Sequence, residues 1–481
     1  MIAAIGTLSA RQLVTLLGEW QSDAAAYEAL ADRIRLLAID GRLLPGTRLP
    51  SERELAERLG RSRTTVVSAY RALREAGYLE SRQGSGSVLR LPAAGVDAGE
   101  ASRDESLINF SMATPQALPD LMDHVERAGS ALRSNLGLTG VDFVGLPVLR
   151  AAIAKRYTDR GLPTSPEQIV VTAGAQHAIG IIGKALLGRG DRVLTDAPTY
   201  PHAYAALQAA GGRMTGVAMA PTGWDDEQLI DAFERVRPVL AYLMPDFHNP
   251  TGASMPDALR RRVVETAART GTIVIDDQTT GELVIDRPWA SLPLAAQART
   301  AEERAAVITL GSTGKTVWSG LRIGWIRAEE RHLSRIVAAR AAVDLGVPVL
   351  EQLIVAEAIA DMDAILAFRA RELGTARDLL LGLLADQLPE WSVPKPDGGM
   401  VLWANLGMPA SSALVLAARA RGLQISGGPL FGGEGAFERF IRVPFTLPPA
   451  QLREGVSVLA DAWRAVSRMA SVGASALTQV A

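Results

Sequence analysis

Short apolar runs alternate with amphipathic, helix-like stretches over most of the chain after residue 107. The runs cover residues 168–172, 192–195, 239–244, 272–275, 307–310 and 322–326. Apolar runs of this length are typical of strands buried on both faces, and their alternation with helices predicts a largely parallel sheet. Ligands of such sheets bind at the carboxyl ends of the strands, so the residues that follow each run are candidates for a functional site.

The N-terminal part of the chain has a different pattern, in which three short helices precede a hairpin. The first helix is predicted for about residues 25–40, and Ser51 with Glu54 forms a capping box that opens the second. Ser62 is placed to cap the third helix, and a hairpin with glycines in its turn follows. Helices joined by a tight turn and followed by a β-wing describe a winged helix-turn-helix, here over residues 25–92.

The distribution of charge suggests a partner for this unit. The 481-residue chain has a net charge of −2, but residues 25–92 contain twelve arginines against eight acidic residues, a net charge of +4. A basic block on an acidic body indicates an anionic partner for the block alone. In a winged helix the start of the third helix enters the major groove, and Arg61, Arg63, Thr64 and Thr65 lie there. A generic three-helix scaffold with a solvated basic face is the alternative.

Residues 25–92 closely resemble the winged-helix domain of the GntR family. The motifs that carry the resemblance are Leu49-Pro50-Ser51-Glu52-Arg53, Ser62-Arg63-Thr64-Thr65-Val66, Ala69-Tyr70, Gly77-Tyr78-Leu79 and Gly84-Ser85-Gly86. The resemblance implies that Arg53, Arg63, Thr64, Thr65 and Gly86 contact double-stranded operator DNA. The chain is then divided into a helical arm (1–24), the winged helix (25–92), a linker (93–107) and a large domain (108–481).

Lys315 has the most informative surroundings in the large domain. It follows an apolar run in a Gly/Ser-rich turn, and it is one of only four lysines in the chain. An amine held in such a turn loses its proton more easily when it is partly desolvated, and it then attacks an aldehyde to form a Schiff base. An isolated turn lysine is more often an ordinary surface residue, so the interpretation depends on its neighbours.

Groups in or next to this and the other apolar runs suit a phosphorylated aromatic cofactor and its ligand. These groups are Gly174, Ala175, Gln176, Tyr200, Asn249, Asp276, Ser312, Arg322 and Arg442. Asp276 follows the run 272–275, and a buried carboxylate is costly unless it meets a cation such as a protonated pyridine nitrogen. Arg442 lies inside an apolar run and needs an anionic partner, for which a structural salt bridge competes with a ligand carboxylate.

In this order the groups resemble fold-type-I aminotransferases over roughly residues 108–475, and the resemblance implies pyridoxal 5'-phosphate as the cofactor. Lys315 is then the Schiff-base lysine, and Asp276 is the partner of the pyridine nitrogen. Asn249 is the donor to the ring hydroxyl, and Tyr200 is the stacking ring.

The same resemblance assigns the remaining groups. Gly174, Ala175 and Gln176, with Ser312 and Arg322, form the phosphate cup. Arg442 holds the carboxylate of a substrate or effector.

Two positions depart from the aminotransferase pattern. The family usually has a tyrosine two or three positions after the aspartate, where this chain has Gln278 and Thr279, and Gly314 replaces a frequent serine before the lysine. Loss of the tyrosine hydroxyl should weaken catalysis more than binding. A GntR winged helix fused to an aminotransferase-like domain resembles the MocR subfamily of bacterial regulators, and segments 242–252 and 307–324 resemble its YczR-like members.

The sequence therefore predicts an α/β protein with an N-terminal winged helix and a fold-type-I domain whose sheet is mainly parallel. The predicted function is a cytoplasmic, homodimeric transcription regulator that senses pyridoxal phosphate, an amine or an amino acid. A working aminotransferase with a DNA-binding appendage and a DNA-binding protein with a mere dimerisation scaffold are the competing hypotheses. The chain has no cysteine, no metal-ligand spacing among its five histidines and no apolar run long enough for a membrane.

Overall fold

Four helices and a two-stranded hairpin form the N-terminal unit of the computed structural model. The structure describes residues 8–18, 20, 25–39, 43, 47–75, 77–82, 86–89, 107–220, 223–287, 291–432 and 436–478. The elements of the unit are α1 (Ala10–Leu17), α2 (Ala26–Ile39), α3 (Glu52–Leu59), α4 (Arg63–Glu75), β1 (Leu79–Arg82) and β2 (Gly86–Leu89). The two strands pair antiparallel, so a winged helix-turn-helix is confirmed.

The predicted caps account for where α3 and α4 begin. Ser51 and Glu54 form the capping box at the start of α3, and Gly60 ends that helix in the left-handed conformation. The hydroxyl of Ser62 accepts a hydrogen bond from the backbone amide of Thr65 at 3.1 Å, which caps α4. The predicted turns at residues 45–46 and 83–85 and most of the predicted linker lie outside the described residues.

The N-terminal arm packs against the winged helix rather than standing apart from it. Ser9 caps α1, and Leu13 and Leu17 of that helix are fully buried together with Leu30 of α2. Trp20 joins the same apolar core. α1 therefore completes the apolar core of the DNA-binding unit.

The large domain contains two sheets and twelve further helices among the described residues. Its elements up to the middle of the chain are β3 (Ile108–Phe110), α5 (Leu121–Leu132), α6 (Pro147–Asp159), β4 (Ile169–Thr172), α7 (Ala175–Leu186), β5 (Arg192–Ala197), α8 (Pro201–Ala209), β6 (Arg213–Ala220), β7 (Gly223–Trp224), α9 (Asp226–Val236), β8 (Leu240–Leu243), α10 (Asp257–Thr270) and β9 (Ile273–Asp277). The remaining elements are α11 (Ala301–Ala305), β10 (Val307–Ser312), β11 (Gly324–Arg327), α12 (Glu330–Arg340), α13 (Val349–Ala360), α14 (Met362–Gln387), β12 (Val401–Asn405), α15 (Ser411–Arg419), β13 (Leu423–Gly427), β14 (Phe440–Pro444) and α16 (Pro449–Thr478).

The larger sheet has the strand order β4-β11-β10-β9-β8-β5-β6-β7. Neighbouring strands from β10 to β6 run parallel, while β11 is antiparallel to both of its neighbours and β7 is antiparallel to β6. The prediction of a mainly parallel sheet is confirmed. Apolar side chains cover both of its faces, as the continuous apolar runs require.

The smaller sheet has the order β12-β14-β13-β3 and is covered by α14, α15 and α16. Its core is separate from those of the larger sheet and includes Phe110, Phe445 and Trp463. The carboxyl ends of the central parallel strands face this smaller sheet across a cleft. Within the described ranges, no helix is both long enough and apolar enough to cross a lipid bilayer.

Candidate functional site: a cofactor cleft and a DNA-binding face

A cavity of about 280 Å³ lies at the carboxyl edge of the larger sheet and is closed on its other side by the smaller sheet. The predicted residues that line it are Gly174, Ala175, Gln176, Tyr200, Asn249, Ser312, Lys315, Arg322 and Arg442. Asp276 is the one predicted cofactor residue that does not line it. The fold thus brings together side chains that are separated by as many as 268 positions in the sequence.

Lys315 lies in a single turn of π-helix directly after β10, with its amine in the cleft. Its Nζ atom donates hydrogen bonds to the carbonyl of Ala113 at 2.7 Å and to the hydroxyl of Thr114 at 3.0 Å. Burial lowers the pKa of Lys315 to about 8, and the charges of Arg442 and Arg322 contribute to this lowering. A neutral, nucleophilic amine is therefore accessible near physiological pH.

The carboxylate in the cleft is Asp277 and not Asp276. The predicted strand ended at residue 275, whereas β9 continues through Asp277, so the two aspartates point to opposite faces of the sheet. Asp277 accepts a hydrogen bond from the hydroxyl of Tyr242 at 2.7 Å and one from the backbone amide of Thr279 at 2.9 Å. The prediction for Asp276 is therefore corrected by one position.

Asp276 serves the opposite, structural face. It is fully buried, and it accepts hydrogen bonds from the side chain of Gln278 at 2.7 Å and from the backbone amide of Leu294 at 2.9 Å. Burial raises the pKa of Asp276 to about 6 despite these donors. It holds the segment around Leu294 against β9 and cannot reach the cleft.

The start of α7 and Arg322 form a pocket suited to a phosphate. Gly174 precedes α7 with a φ of +89°, and a Cβ atom there would lie 2.7 Å from Nη2 of Arg322. The backbone amides at the start of a twelve-residue helix and a guanidinium beside them form an anion site. The buried Oε1 atom of Gln176 has no hydrogen-bond partner among the described residues. These features fit a phosphorylated cofactor.

Arg442 is a desolvated cation at the other end of the cleft. It lies on β14, is 6% exposed and donates to the side-chain oxygen of Asn249 at 3.3 Å and to the carbonyl of Ser111. Burial lowers the pKa of Arg442 to about 10. In the described part of the chain no carboxylate lies within 4.0 Å of its guanidinium, and its buried Nε atom has no partner. The competing hypothesis of a structural salt bridge therefore finds no acidic partner there.

Functional residues that the sequence patterns did not indicate lie in the cleft or contact the residues that line it. His202 packs edge-on against Tyr200 with ring centroids 5.3 Å apart, and its backbone carbonyl accepts a hydrogen bond from Gln176 at 2.9 Å. Tyr242 could have been found from the sequence, because strand alternation places its side chain on the same face of the sheet as Asp277. Thr114 could not have been found in this way, since it follows β3, a strand of the smaller sheet.

The predicted DNA-contacting side chains are largely free of the protein. Arg53, Arg61, Arg63 and Thr64 are exposed, and Arg61 also lies over the ring of Trp20 at 6.0 Å. Thr65 is half-buried, and its hydroxyl is hydrogen-bonded to that of Ser62 at 2.8 Å. Side chains at the start of α4 are therefore directed at solvent, where a nucleic acid can reach them.

Gly86 opens the second strand of the wing in a conformation that favours glycine. Its φ is +74°, it is exposed, and a Cβ atom there would lie 3.2 Å from Nε of Arg48. The wing thus presents backbone, with an arginine beside it, at the position where the resemblance predicts a DNA contact.

Comparison with known proteins agrees with both halves of this description. Residues 109–459 match the family of class I and II aminotransferases, and residues 26–89 match the bacterial regulatory proteins of the gntR family. The chain belongs to the class I and II aminotransferases. Since a GntR DNA-binding domain precedes the aminotransferase domain, it is a fusion of the MocR type.

Several relatives span nearly the whole of one or both domains. The chain is 30% identical over 366 residues to a 2-aminoadipate transaminase of Thermus thermophilus, covering 74% of this chain and 90% of the relative. It is 28% identical over 447 residues to YdcR, an uncharacterized helix-turn-helix transcriptional regulator of Escherichia coli, covering 86% of this chain and 94% of the relative.

A solved structure connects the fold to the cofactor. The crystal structure of LysN, an α-aminoadipate aminotransferase of Thermus thermophilus complexed with N-(5'-phosphopyridoxyl)-L-leucine, superposes with a TM-score of 0.70 at 28% identity. The match covers 76% of this chain and 94% of that one. Family, fold and this neighbour together imply pyridoxal phosphate as the cofactor of the present cleft.

Proposed function

We propose that the protein is a transcription regulator whose winged helix binds an operator and whose aminotransferase-like domain senses pyridoxal phosphate, an amine or an amino acid. One observation carries this proposal. A single chain combines an exposed recognition-helix start at Arg63 with a cleft that contains a half-buried, readily deprotonated Lys315 beside Asp277 and Arg442. The location that goes with this function is the cytoplasm.

Each polar group of the cleft has a role that follows from its contacts. When bound, the cofactor supplies an aldehyde that condenses reversibly with amines and a ring that withdraws electrons. Lys315 provides the amine, and Asp277, fixed by Tyr242, provides the negative charge for a protonated ring nitrogen. Asn249 would donate to the ring hydroxyl, and Tyr200 would stack on the ring.

The two arginines lie at opposite ends of the cleft, and each suits a different anionic group. Arg322, Ser312 and the start of α7 from Gly174 hold the phosphate. Arg442 holds the carboxylate of an effector. This carboxylate then takes the place of Asn249 and the main-chain oxygen of Ser111 as the hydrogen-bond partner of Arg442. An effector that binds one conformation better than another shifts the population and hence the affinity for DNA.

A homodimer is the assembly that we propose for the protein. Large apolar side chains are exposed in two segments that an isolated bridge between Asp142 and Gly346 brings together. They include Leu136, Leu138, Val141, Val343 and Leu345. Exposed apolar side chains concentrated in this way are typical of an interaction surface. Two copies would present two winged helices to repeated half-sites.

The alternative is an active aminotransferase with a DNA-binding domain, and the retained Lys315, Asp277 and Arg442 favour it. The usual tyrosine is also absent when its position is counted from Asp277 instead of Asp276. The residues two and three positions after Asp277 are Thr279 and Thr280. Both threonines line the cleft. Without that phenol the ring oxygen has Asn249 as its main partner, which favours ligand binding over turnover.

One preparation tests the proposal. Purified protein mixed with pyridoxal phosphate should give a visible absorbance band that borohydride bleaches, and Lys315→Ala should lack it. Operator DNA selected from a random library should bind with an affinity that changes when the cofactor or an amino acid is added. Rapid keto-acid production from amino acids, together with DNA binding indifferent to all of them, would favour the enzyme instead.

A further inference from the structure

Arg33 of α2 joins the DNA-binding unit to the start of α15, a helix that packs on the smaller sheet of the large domain. It is 7% exposed, although it is an arginine on a helix near the protein surface. Its Nη1 atom donates to Oε1 of Glu438 at 2.9 Å and to the hydroxyl of Ser412 at 2.9 Å. Its Nε atom donates to the carbonyl of Leu17 at 2.8 Å. One guanidinium therefore connects α1, α2 and the large domain.

The acceptor of this contact is fixed by the fold of the large domain. The Glu438 side chain accepts a hydrogen bond from the backbone amide of Ser412 at 3.0 Å, and its carbonyl accepts one from the amide of Ser411 at 2.8 Å. Glu438 thus caps the start of α15, where a negative charge is favourable. A carboxylate that is already held in place makes a stronger partner for Arg33, because less side-chain freedom is lost.

Packed aromatic rings connect Glu438 to the cofactor cleft. Its chain neighbour Phe437 and nearby Phe440 contact the ring of Trp403, and the rings of Phe440 and Trp403 stack with centroids 5.2 Å apart and an interplanar angle of 4°. Trp403 meets Phe431 edge-on at 5.6 Å, and the guanidinium of Arg442 lies 5.1 Å from the centre of the Phe431 ring.

We propose that the ion pair of Arg33 and Glu438 docks the winged-helix unit on the smaller sheet and that occupation of Arg442 changes the strength of this docking. The inference rests on the proposed function, since it gives a route from effector to DNA-binding unit. A carboxylate that binds Arg442 alters its contact with Phe431. Displacement of Phe431 then moves the aromatic cluster that flanks Glu438, because a close-packed cluster transmits shifts instead of absorbing them.

Hydrogen exchange of the full chain tests the docking without DNA. Arg33→Glu and Glu438→Arg should each raise exchange of the amides of α2 by about tenfold, the scale of one charge-assisted hydrogen bond. The double reversal should restore part of the protection, because the pair is re-formed with opposite signs while the cap of α15 and the bond to Leu17 are not. Arg35→Glu is the matched control, since Arg35 lies on the same helix and pairs with Asp32 of that helix at 2.7 Å. The control should leave exchange at residues 411–412 unchanged, whereas Arg33→Glu and Glu438→Arg should raise it there as well as in α2.

The same measurement tests the coupling. N-(5'-phosphopyridoxyl)-L-alanine, which carries both a phosphate and a carboxylate, should change exchange of α2 in the wild type but not in Arg33→Glu. Pyridoxine 5'-phosphate, which lacks the carboxylate, should change it much less. Cofactor uptake, followed separately by absorbance, and DNA binding of the wild type report on the proposed function. Docking is refuted if the single reversals exchange like the wild type or if the double reversal restores nothing. Coupling is refuted if N-(5'-phosphopyridoxyl)-L-alanine leaves the exchange of α2 unchanged although the wild type still takes up the cofactor and still binds DNA.

Discussion

The acid–base behaviour of Lys315 gives the sharpest prediction, because three charged neighbours act on it with known signs. Burial, Arg442 and Arg322 lower the pKa of Lys315, and Asp277 raises it. Arg442→Gln should therefore raise the pKa from about 8 toward the ordinary value, and Asp277→Asn should lower it further. Asp276→Asn is the matched control, since Asp276 faces the other side of the sheet and is not among these neighbours.

The expected effect on reactivity is large. A lysine with a pKa of about 8 is about 9% neutral at pH 7, whereas one at the ordinary value is about 0.03% neutral, a difference of roughly 300-fold in reactive amine. Arg442→Gln should lower the neutral fraction at pH 7, and Asp277→Asn should raise it. Both substitutions leave the backbone and most of the cleft in place, so the change reports the local field.

Competitive acetylation across a range of pH, read by peptide mass spectrometry, measures this quantity on the cofactor-free protein. The three other lysines, Lys155, Lys184 and Lys395, serve as internal references in the same sample. A Lys315 midpoint near its ordinary value in the wild type would show that the amine is not desolvated. Equal shifts in Asp276→Asn and Asp277→Asn would refute the assignment of the cleft carboxylate.

Three further predictions concern the phosphate pocket, the ring-nitrogen partner and the DNA-binding face. Gly174→Ala should lower the affinity for pyridoxal phosphate by at least about tenfold in an absorbance titration, because the new Cβ would lie 2.7 Å from the Arg322 guanidinium, and an unchanged affinity would remove this pocket from the site. Tyr242→Phe should weaken cofactor binding by about 3–10-fold through the lost hydrogen bond to the cleft carboxylate, with unchanged melting of the cofactor-free protein as the control. Arg63→Ala should cost about 1–3 kcal/mol of specific DNA binding, measured by fluorescence anisotropy at physiological salt. Arg71→Ala is the control, because Arg71 is also exposed and lies two turns further along the same helix, and it should cost less than about 1 kcal/mol. Equal losses in the two variants would argue against base readout by Arg63.

The fold could be predicted because its signals are local. Caps at Ser51 and Ser62 are chemical signals that act within a few residues, and the structure places them as expected. The parallel strands were visible as apolar runs, because strands buried on both faces have no polar alternation to obscure them. The packing of α1 on the winged helix could not be predicted, since apolar residues at helical spacing indicate a buried face but not the surface that buries it.

The site was predicted less completely, and the error at Asp276 shows why. Side-chain direction in a strand alternates with every residue, so misplacing the strand end by two positions selected the wrong one of two adjacent aspartates. Asp277 could have been chosen from its alternation with Ile275, an apolar residue on the cleft side of the sheet. Contacts such as Arg33 with Glu438 join positions 405 apart and leave no pattern in the sequence.

Under the proposed function, the positions of Lys315 and Arg442 determine which effectors can act as a signal. The amine of Lys315 belongs to the turn after β10 of the larger sheet, whereas the guanidinium of Arg442 belongs to β14 of the smaller sheet. Arg442 is held by neutral oxygens only among the described residues, so part of the cost of its burial is not offset until a carboxylate arrives. An amino acid can engage both sheets at once, whereas a simple amine reaches only the first. A ligand shifts an equilibrium only through its differential affinity for two states. An amino acid should therefore change the relative position of the two sheets far more than an amine of the same size.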